Sequence, residues 1–223
     1  MKIFNHAFIM AAGRGIRLKP FTNKFPKGML PYRDTTLIAN GILEIKKYAK
    51  NIHISVGHKK ADLAKHVIEK NITSIWNTNK KGNAWWIFNT FFKYLNEPII
   101  VLTCDNITKL NLHKVKKDYV KKKSPPCMII AVKPIKNLSG DYIFQKKNIV
   151  TKLSRKKRSK IYCSGIQIIN PYLINKLVGK TSDFNDVWKD LIKKKKLFVS
   201  DIKPKKWFTV DKIENLSKLM NQT

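Results

Sequence analysis

Residues 8–38 read FIMAAGRGIRLKPFTNKFPKGMLPYRDTTLI, and the rest of the chain takes its meaning from this stretch. Four apolar residues, 8–11, read as the end of a buried strand, and the chain then breaks into Gly13-Arg14-Gly15. Glycines permit a tight turn with positive φ and let the backbone approach a ligand closely. Two cations, Arg17 and Lys27, follow at fixed distances, and Pro20, Pro26 and Pro31 stiffen the loop around them. A strand, a glycine turn and a rigid loop bearing two cations together make a site for a polyphosphate.

Outward from this stretch, strand and helix alternate. Ile38, Ile42, Ile45 and Ala49 have helical spacing over residues 38–50, and residues 52–56 alternate as a strand does. A helix over 61–70, a strand over 72–76 and an aromatic-rich helix over 83–95 come next. Residues 98–103, PIIVLT, are strongly β-prone and predict a central parallel strand buried on both faces. The second half mixes helices over 112–123, 171–178, 184–194 and 213–220 with strands over 127–132, 142–145, 149–153, 162–169 and 197–202. The pattern predicts an α/β fold with a central, mainly parallel mixed sheet. It shows neither an internal repeat nor a linker, so a single domain over 1–223 is expected.

The net charge is +32, from 46 Lys and Arg against 14 Asp and Glu. Such a charge fits a basic nucleic-acid-binding protein, or an AT-rich coding bias that enriches Lys, Asn and Ile everywhere on the surface. Arginine, the residue suited to bidentate phosphate and base-edge contacts, is scarce, so no specific nucleic-acid partner is expected. The charge still attracts anionic substrates. The 3 cysteines are odd in number and widely spaced, which fits reduced thiols and neither a disulfide framework nor a zinc site. The apolar run before Ala11-Ala12 is too short for a signal peptide, and no stretch reaches the ~20 apolar residues of a membrane span. A cytoplasmic location is expected.

Ligands of open α/β sheets bind beyond the carboxyl ends of the strands. Asp105-Asn106 directly follows the apolar strand, and a charge placed there needs a partner. Asp105 reads either as a turn cap or as a ligand of Mg²⁺ on a substrate's phosphates. The dinucleotide fingerprint fails at Leu18, where a third glycine belongs, and the Walker A pattern fails for want of G-K-[ST].

The segment AAGRGIRLKPFTNKFPKGMLP instead resembles the signature of nucleotidyltransferases that join an NTP to a sugar 1-phosphate, A-A-G-x-G-x-R-[LM]-x-P-x-T-x-x-x-P-K-x-[LM]-x-P. Ala11, Ala12, Gly13, Gly15, Arg17, Leu18, Pro20, Thr22, Pro26, Lys27, Met29 and Pro31 all match it. Further on, the resemblance is looser. Thr103-Cys104-Asp105 stands where a strand-end G-D is usual, and Lys81-Gly82-Asn83-Ala84 stands where a G-T-A segment cradles the base. Ser139-Gly140 and Ser164-Gly165 match two sugar-side glycine positions. Residues 207–216, WFTVDKIENL, lack the Asp of the common W-x-D-x-G-T at Thr209. They resemble the W-x-x-[IV]-D-x-x-E-[DN]-L of phosphocholine-type cytidylyltransferases, which puts an aspartate at Asp211.

The resemblance implies a Rossmann-like three-layer sandwich, with a nucleotide-binding half over 1–110 and an acceptor-binding half over 111–223. Ala11, Ala12, Gly13, Arg14, Gly15, Asn77, Gly82 and Asn83 would contact the NTP, with pyrimidine bases favoured. Asn106, Gly140 and Gly165 would contact a phosphorylated acceptor. Arg17 would neutralise the leaving pyrophosphate, Lys27 would bridge the α-phosphate and the attacking phosphate, and Asp105 and Asp211 would hold Mg²⁺. The product would be an NDP-sugar for surface glycans, or a CDP-alcohol if the acceptor is phosphocholine or similar. No hexapeptide repeat follows, so a second, acyltransferase activity is not expected, and a homodimer is compatible with the sequence.

Plainer readings stand beside these. Lys27 is one lysine among many, and Asp211 reads also as an N-cap of the last helix with Glu214 as capping-box partner. Cys104 and Thr209 are also what an inactive relative would show. His53, His58, Trp85 and Trp86 read as packing residues, and Arg155-Lys156-Lys157-Arg158-Ser159-Lys160 as a solvated loop.

Overall fold

The computed structural model describes residues 2–135, 138 and 140–220. The chain forms two compact units, one of Met1–Lys80, Leu102–Thr108 and Lys206–Thr223, the other of Lys81–Val101 and Lys109–Lys205. The architecture is α/β, a mixed sheet flanked by helices, as the alternation of the sequence predicts.

In the first unit, β1 (Phe4–Met10) leads through α1 (Phe21–Lys24) and a two-stranded ribbon, β2 (Pro31–Tyr32) and β3 (Thr35–Thr36), into α2 (Leu37–Lys46). Strand β4 (Ala49–Val56), helix α3 (Lys60–Ile68) and strand β5 (Ser74–Asn77) follow. The strands lie in the order β5-β4-β1 and all run parallel. Thr36 starts α2 by accepting the Ala39 N–H at 3.3 Å, and the helix buries Leu37, Ile38, Ala39, Ile42 and Ile45. The helix is shorter than its spacing predicts. Ala49 pairs with Phe4 in the β1–β4 ladder and so belongs to β4.

The chain then enters the second unit through α4 (Trp85–Asn89) and β6 (Ile99–Thr103), with the end of β6 already in the first unit, and forms β7 (Asn106–Lys109) there. The expected long helix over 83–95 is broken at Thr90. Its extended backbone (φ −131°) and its hydroxyl, which accepts the Phe92 N–H, start a separate 3₁₀ turn over Phe91–Tyr94. In the second unit α5 (Leu112–Lys121), β8 (Cys127–Val132), β9 (Tyr142–Lys146), β10 (Ile149–Ser154), β11 (Tyr162–Ile169), α6 (Pro171–Leu177), α7 (Phe184–Lys193) and β12 (Leu197–Val199) follow. The strand order is β6-β11-β8-β12-β10-β9, with β8 and β12 parallel and the other pairs antiparallel. Ile99, Ile100 and Val101 are fully buried, as expected, although β11 runs antiparallel to their strand.

Two last elements, β13 (Lys206–Thr209) and α8 (Ile213–Met220), return to the first unit, where β13 pairs with β7. A core of Leu18, Leu30, Tyr32, Leu37, Val210, Leu216 and Leu219 joins the signature loop to these C-terminal elements. Each large apolar side chain buried there contributes about 1.5–3 kcal/mol. The core therefore holds residues 16–30 and 207–219 against each other.

Candidate active site

The glycine turn hangs from the end of β1. Ala11 donates its N–H to the carbonyl and hydroxyl of Ser55, each at 3.2 Å, and the Ala12 carbonyl accepts the His58 N–H at 3.1 Å. These bonds commit Ala11 and Ala12 to β4 and its extension. Among the described residues, the N–H groups of Gly13, Arg14 and Gly15 have no hydrogen-bond partner. Gly15 is left-handed (φ +60°), and a Cβ there would lie 2.9 Å from Thr22 Cγ2 and 3.2 Å from Lys27 Cβ. A Cβ on Gly13 would meet nothing within 4 Å, so the fold itself does not demand glycine at that position. Buried Thr22 donates its hydroxyl to the Gly15 carbonyl at 2.9 Å and closes the turn. It was one of the matched signature positions, but its spacing alone assigned it no role.

Opposite charges meet beside this turn. Lys27 starts a 3₁₀ turn capped by Pro26, and its Nζ lies 2.5 Å from Asp105 Oδ2 and 3.7 Å from Asp211 Oδ1. Arg17 Nη1 lies 2.7 Å from Asp211 Oδ2. That contact is an ion pair without hydrogen-bond alignment, because the same buried oxygen has no hydrogen-bond partner. The Lys27, Asp105 and Asp211 side chains are 12–14% exposed, whereas Arg17 is 53% exposed and open to a ligand. Asp211 is not the cap of α8. The Asn215 side chain accepts the Lys212 N–H at 3.0 Å, and the Asp211 carboxylate faces Lys27 and Arg17.

Burial alone would raise the Asp105 carboxyl, but the charge of Lys27 and its hydrogen bond outweigh burial and hold it below its ordinary value. Burial likewise opposes the Lys27 charge, and the carboxylates, led by Asp105, raise its pKa instead. Cys104 is different: burial, then the Asp105 charge, push its thiol up to about 12, so it stays protonated at neutral pH and is a poor nucleophile. It packs as a small apolar residue, its Cβ 3.6 Å from where a Cβ on Gly28 would stand.

Two carboxylates, one with a buried oxygen lacking a hydrogen bond, form an oxygen-only set suited to a hard cation such as Mg²⁺. No cluster of three or more His, Cys, Asp and Glu exists among the described residues, so the remaining ligands would be phosphate oxygens and water.

Other candidate residues are placed as follows. Asn77 closes β5, is exposed, and accepts the Asn79 N–H through its side chain. Asn106 is buried at the start of β7. In the second unit, Gly82 packs on the Ser182 carbonyl with no room for a Cβ, and the Asn83 side chain accepts the Phe184 N–H at 2.8 Å. Both therefore have a structural task in joining this segment to the start of α7. Gly140 packs under the Tyr162 hydroxyl, and Gly165 takes φ +82° where the β11–β8 register shifts; Ser139 lies outside the described residues. Trp86 is core at 1% exposure, and residues 155–158 form an exposed loop. All three cysteines are free, and no helix among the described residues is long and apolar enough to cross a membrane.

The chain is 26% identical over 156 residues, 69% of its length, to the bifunctional protein GlmU of Methanococcus aeolicus, covering 36% of that protein. It is 28% identical over 116 residues, 50% of its length, to the UTP–glucose-1-phosphate uridylyltransferase AglF of Haloferax volcanii, covering 47% of that protein. The chain spans less than half the length of the curated relatives it matches. In fold it resembles the CTP:phosphocholine cytidylyltransferase LicC of Streptococcus pneumoniae, with a TM-score of 0.76 at 18% identity over 100% of this chain and 99% of that one. The nucleotidyl transferase family profile matches residues 6–139, more than half of the chain. The chain belongs to the nucleotidyl transferase family.

Proposed function

We propose that this protein is an Mg²⁺-dependent nucleotidyltransferase that transfers NMP from an NTP to a sugar 1-phosphate, giving an NDP-sugar for surface glycan synthesis and pyrophosphate. The observation that carries the proposal is the placing of Lys27 between Asp105 and Asp211, beside a glycine turn whose three N–H groups have no hydrogen-bond partner among the described residues. A phosphate oxygen of the acceptor attacks the α-phosphorus, the bond from that phosphorus to the bridging oxygen breaks, and pyrophosphate leaves with its electron pair. The N–H groups of Gly13, Arg14 and Gly15 hold the triphosphate, and Arg17 meets the charge that grows on pyrophosphate. Lys27 draws the attacking phosphate and the α-phosphate together, two anions that otherwise repel. Bound at Asp105 and Asp211, Mg²⁺ would supply charge neutralisation and orientation.

A second reading has its own observation. Position 209 carries no carboxylate, and the acidic residue is Asp211, as in the phosphocholine-type pattern. On that reading the nucleotide is CTP and the acceptor a small phosphorylated alcohol, and the likeness to LicC supports the fold it needs. A thermal-shift screen of the four NTPs with Mg²⁺ separates the readings, because the NTP that binds raises the melting temperature by mass action. Pyrophosphate release against sugar 1-phosphates and phosphocholine then names the acceptor. Absence of release with every NTP and acceptor would overturn both.

A further inference from the structure

We propose that Thr209 is a positioning residue that orients the Asp105 carboxylate for the divalent cation; the inference rests on the reading of Asp105 and Asp211 as metal ligands. Thr209 ends β13 and is buried at 9% exposure. Its hydroxyl donates to Asp105 Oδ2 at 3.3 Å, across 104 positions of sequence. That oxygen also accepts from Lys27 at 2.5 Å, and the Thr103 hydroxyl donates to the same carboxylate. One residue further on, the Val210 N–H donates to the Asp105 carbonyl at 3.1 Å, and the next residue is Asp211.

The segment 209–211 therefore contains one bond to the Asp105 backbone, one to its side chain, and then the second carboxylate. The backbone bond sets how far apart the two aspartates stand, but it leaves the Asp105 carboxylate free to rotate about its side-chain bonds. Lys27 and Thr103 restrict that rotation, and the Thr209 hydroxyl adds a third bond that comes from the segment bearing Asp211. A cation held by only two protein carboxylates has few ligands to lose, so a carboxylate turned away is felt directly in affinity. A threonine at this position cannot supply the charge of a carboxylate ligand. It supplies orientation, which makes the departure from the sugar-type W-x-D-x-G-T pattern compatible with an intact site.

Outer-layer hydrogen bonds of this kind are generally worth about 10–100-fold in metal affinity. The test is Mn²⁺ binding to the full chain, followed by electron paramagnetic resonance of the free ion, for wild type, Thr209→Val, Thr209→Ser and Asp105→Asn. Thr209→Val is expected to weaken Mn²⁺ binding about tenfold with unchanged far-UV circular dichroism, and Thr209→Ser to stay within about twofold of wild type. If the valine variant does not fold, Thr209→Ala removes the same hydroxyl with less crowding. Loss of Mn²⁺ in Asp105→Asn together with wild-type affinity in Thr209→Val would overturn the role of Thr209 alone. Undiminished binding in Asp105→Asn, or none in wild type, would remove the metal reading and the inference with it.

Discussion

Lys27 Nζ lies 2.5 Å from Asp105 Oδ2, and that ammonium also stands 3.7 Å from Asp211 Oδ1. One cation thus holds two like charges in a largely buried place, where each carboxylate alone would be costly. The pair contributes to stability over a wide pH range. Asp105 titrates below its ordinary 3.8, so its contribution is present above that value and is lost as pH falls through the lower folded value. Lys27 titrates above its ordinary 10.5, so its contribution is present below that value and is lost as pH rises through the higher folded value.

Removing the ammonium exposes this balance. Lys27→Met leaves two partly buried carboxylates facing each other and is expected to lower stability by about 3 kcal/mol, with activity lost by at least about 100-fold. Mg²⁺ should raise the melting temperature of the variant more than that of wild type, because it replaces the missing charge. Denaturant titrations with and without Mg²⁺ check this, and an equal Mg²⁺ effect on both proteins would count against it.

The two glycines of the turn separate folding from function. Gly15→Ala forces a left-handed residue and pushes a Cβ toward Thr22 and Lys27, so it should cost about 1–2 kcal/mol and lower activity. Gly13→Ala meets no protein atom and should leave the melting temperature unchanged. If the triphosphate lies against residue 13, the same change should raise the KM for NTP. Melting curves and steady-state kinetics on the two variants, side by side, test this contrast.

Away from the site, the burial of His53 predicts an acid sensitivity. Its ring contacts His6 at 2.8 Å and Ser74 at 2.7 Å, and burial, then the His6 charge, hold it at about 4 against an ordinary 6.5. Above pH 6.5 both folded and unfolded chains keep the ring neutral. As pH falls from 6.5 toward 4 the unfolded chain takes up a proton that the folded chain refuses, and about 3 kcal/mol of stability is lost. His53→Gln should flatten the fall in melting temperature over this window. An unchanged pH profile would show that another group causes the loss.

What the sequence made legible follows from how local each signal is. The strip from Ala11 to Pro31 has contiguous spacing, so Gly15, Arg17 and Lys27 could be located by counting. Cys127–Val132 and Tyr162–Ile169 carry a continuous β pattern, and both appear with the expected bounds. Ala49 and Thr90 were misplaced because helical spacing is a local signal, whereas ladder pairing with Phe4 and a side-chain hydrogen bond to Phe92 decide their backbones. The β7–β13 ribbon is short and joins residues about a hundred positions apart, so no periodicity announces it. Long sequence separation also hid the Arg17–Asp211 contact and the bond from Thr209, which by spacing alone read only as a missing aspartate.

The central claim is tested most directly by pyrophosphate release from NTP and a phosphorylated acceptor with Mg²⁺, measured for wild type and Asp105→Ala. Wild type is expected to release pyrophosphate only when NTP, acceptor and Mg²⁺ are all present, and Asp105→Ala to lose this by at least about a thousandfold while keeping its fold by circular dichroism. Full activity in Asp105→Ala, or release by wild type without a divalent cation, would contradict the account.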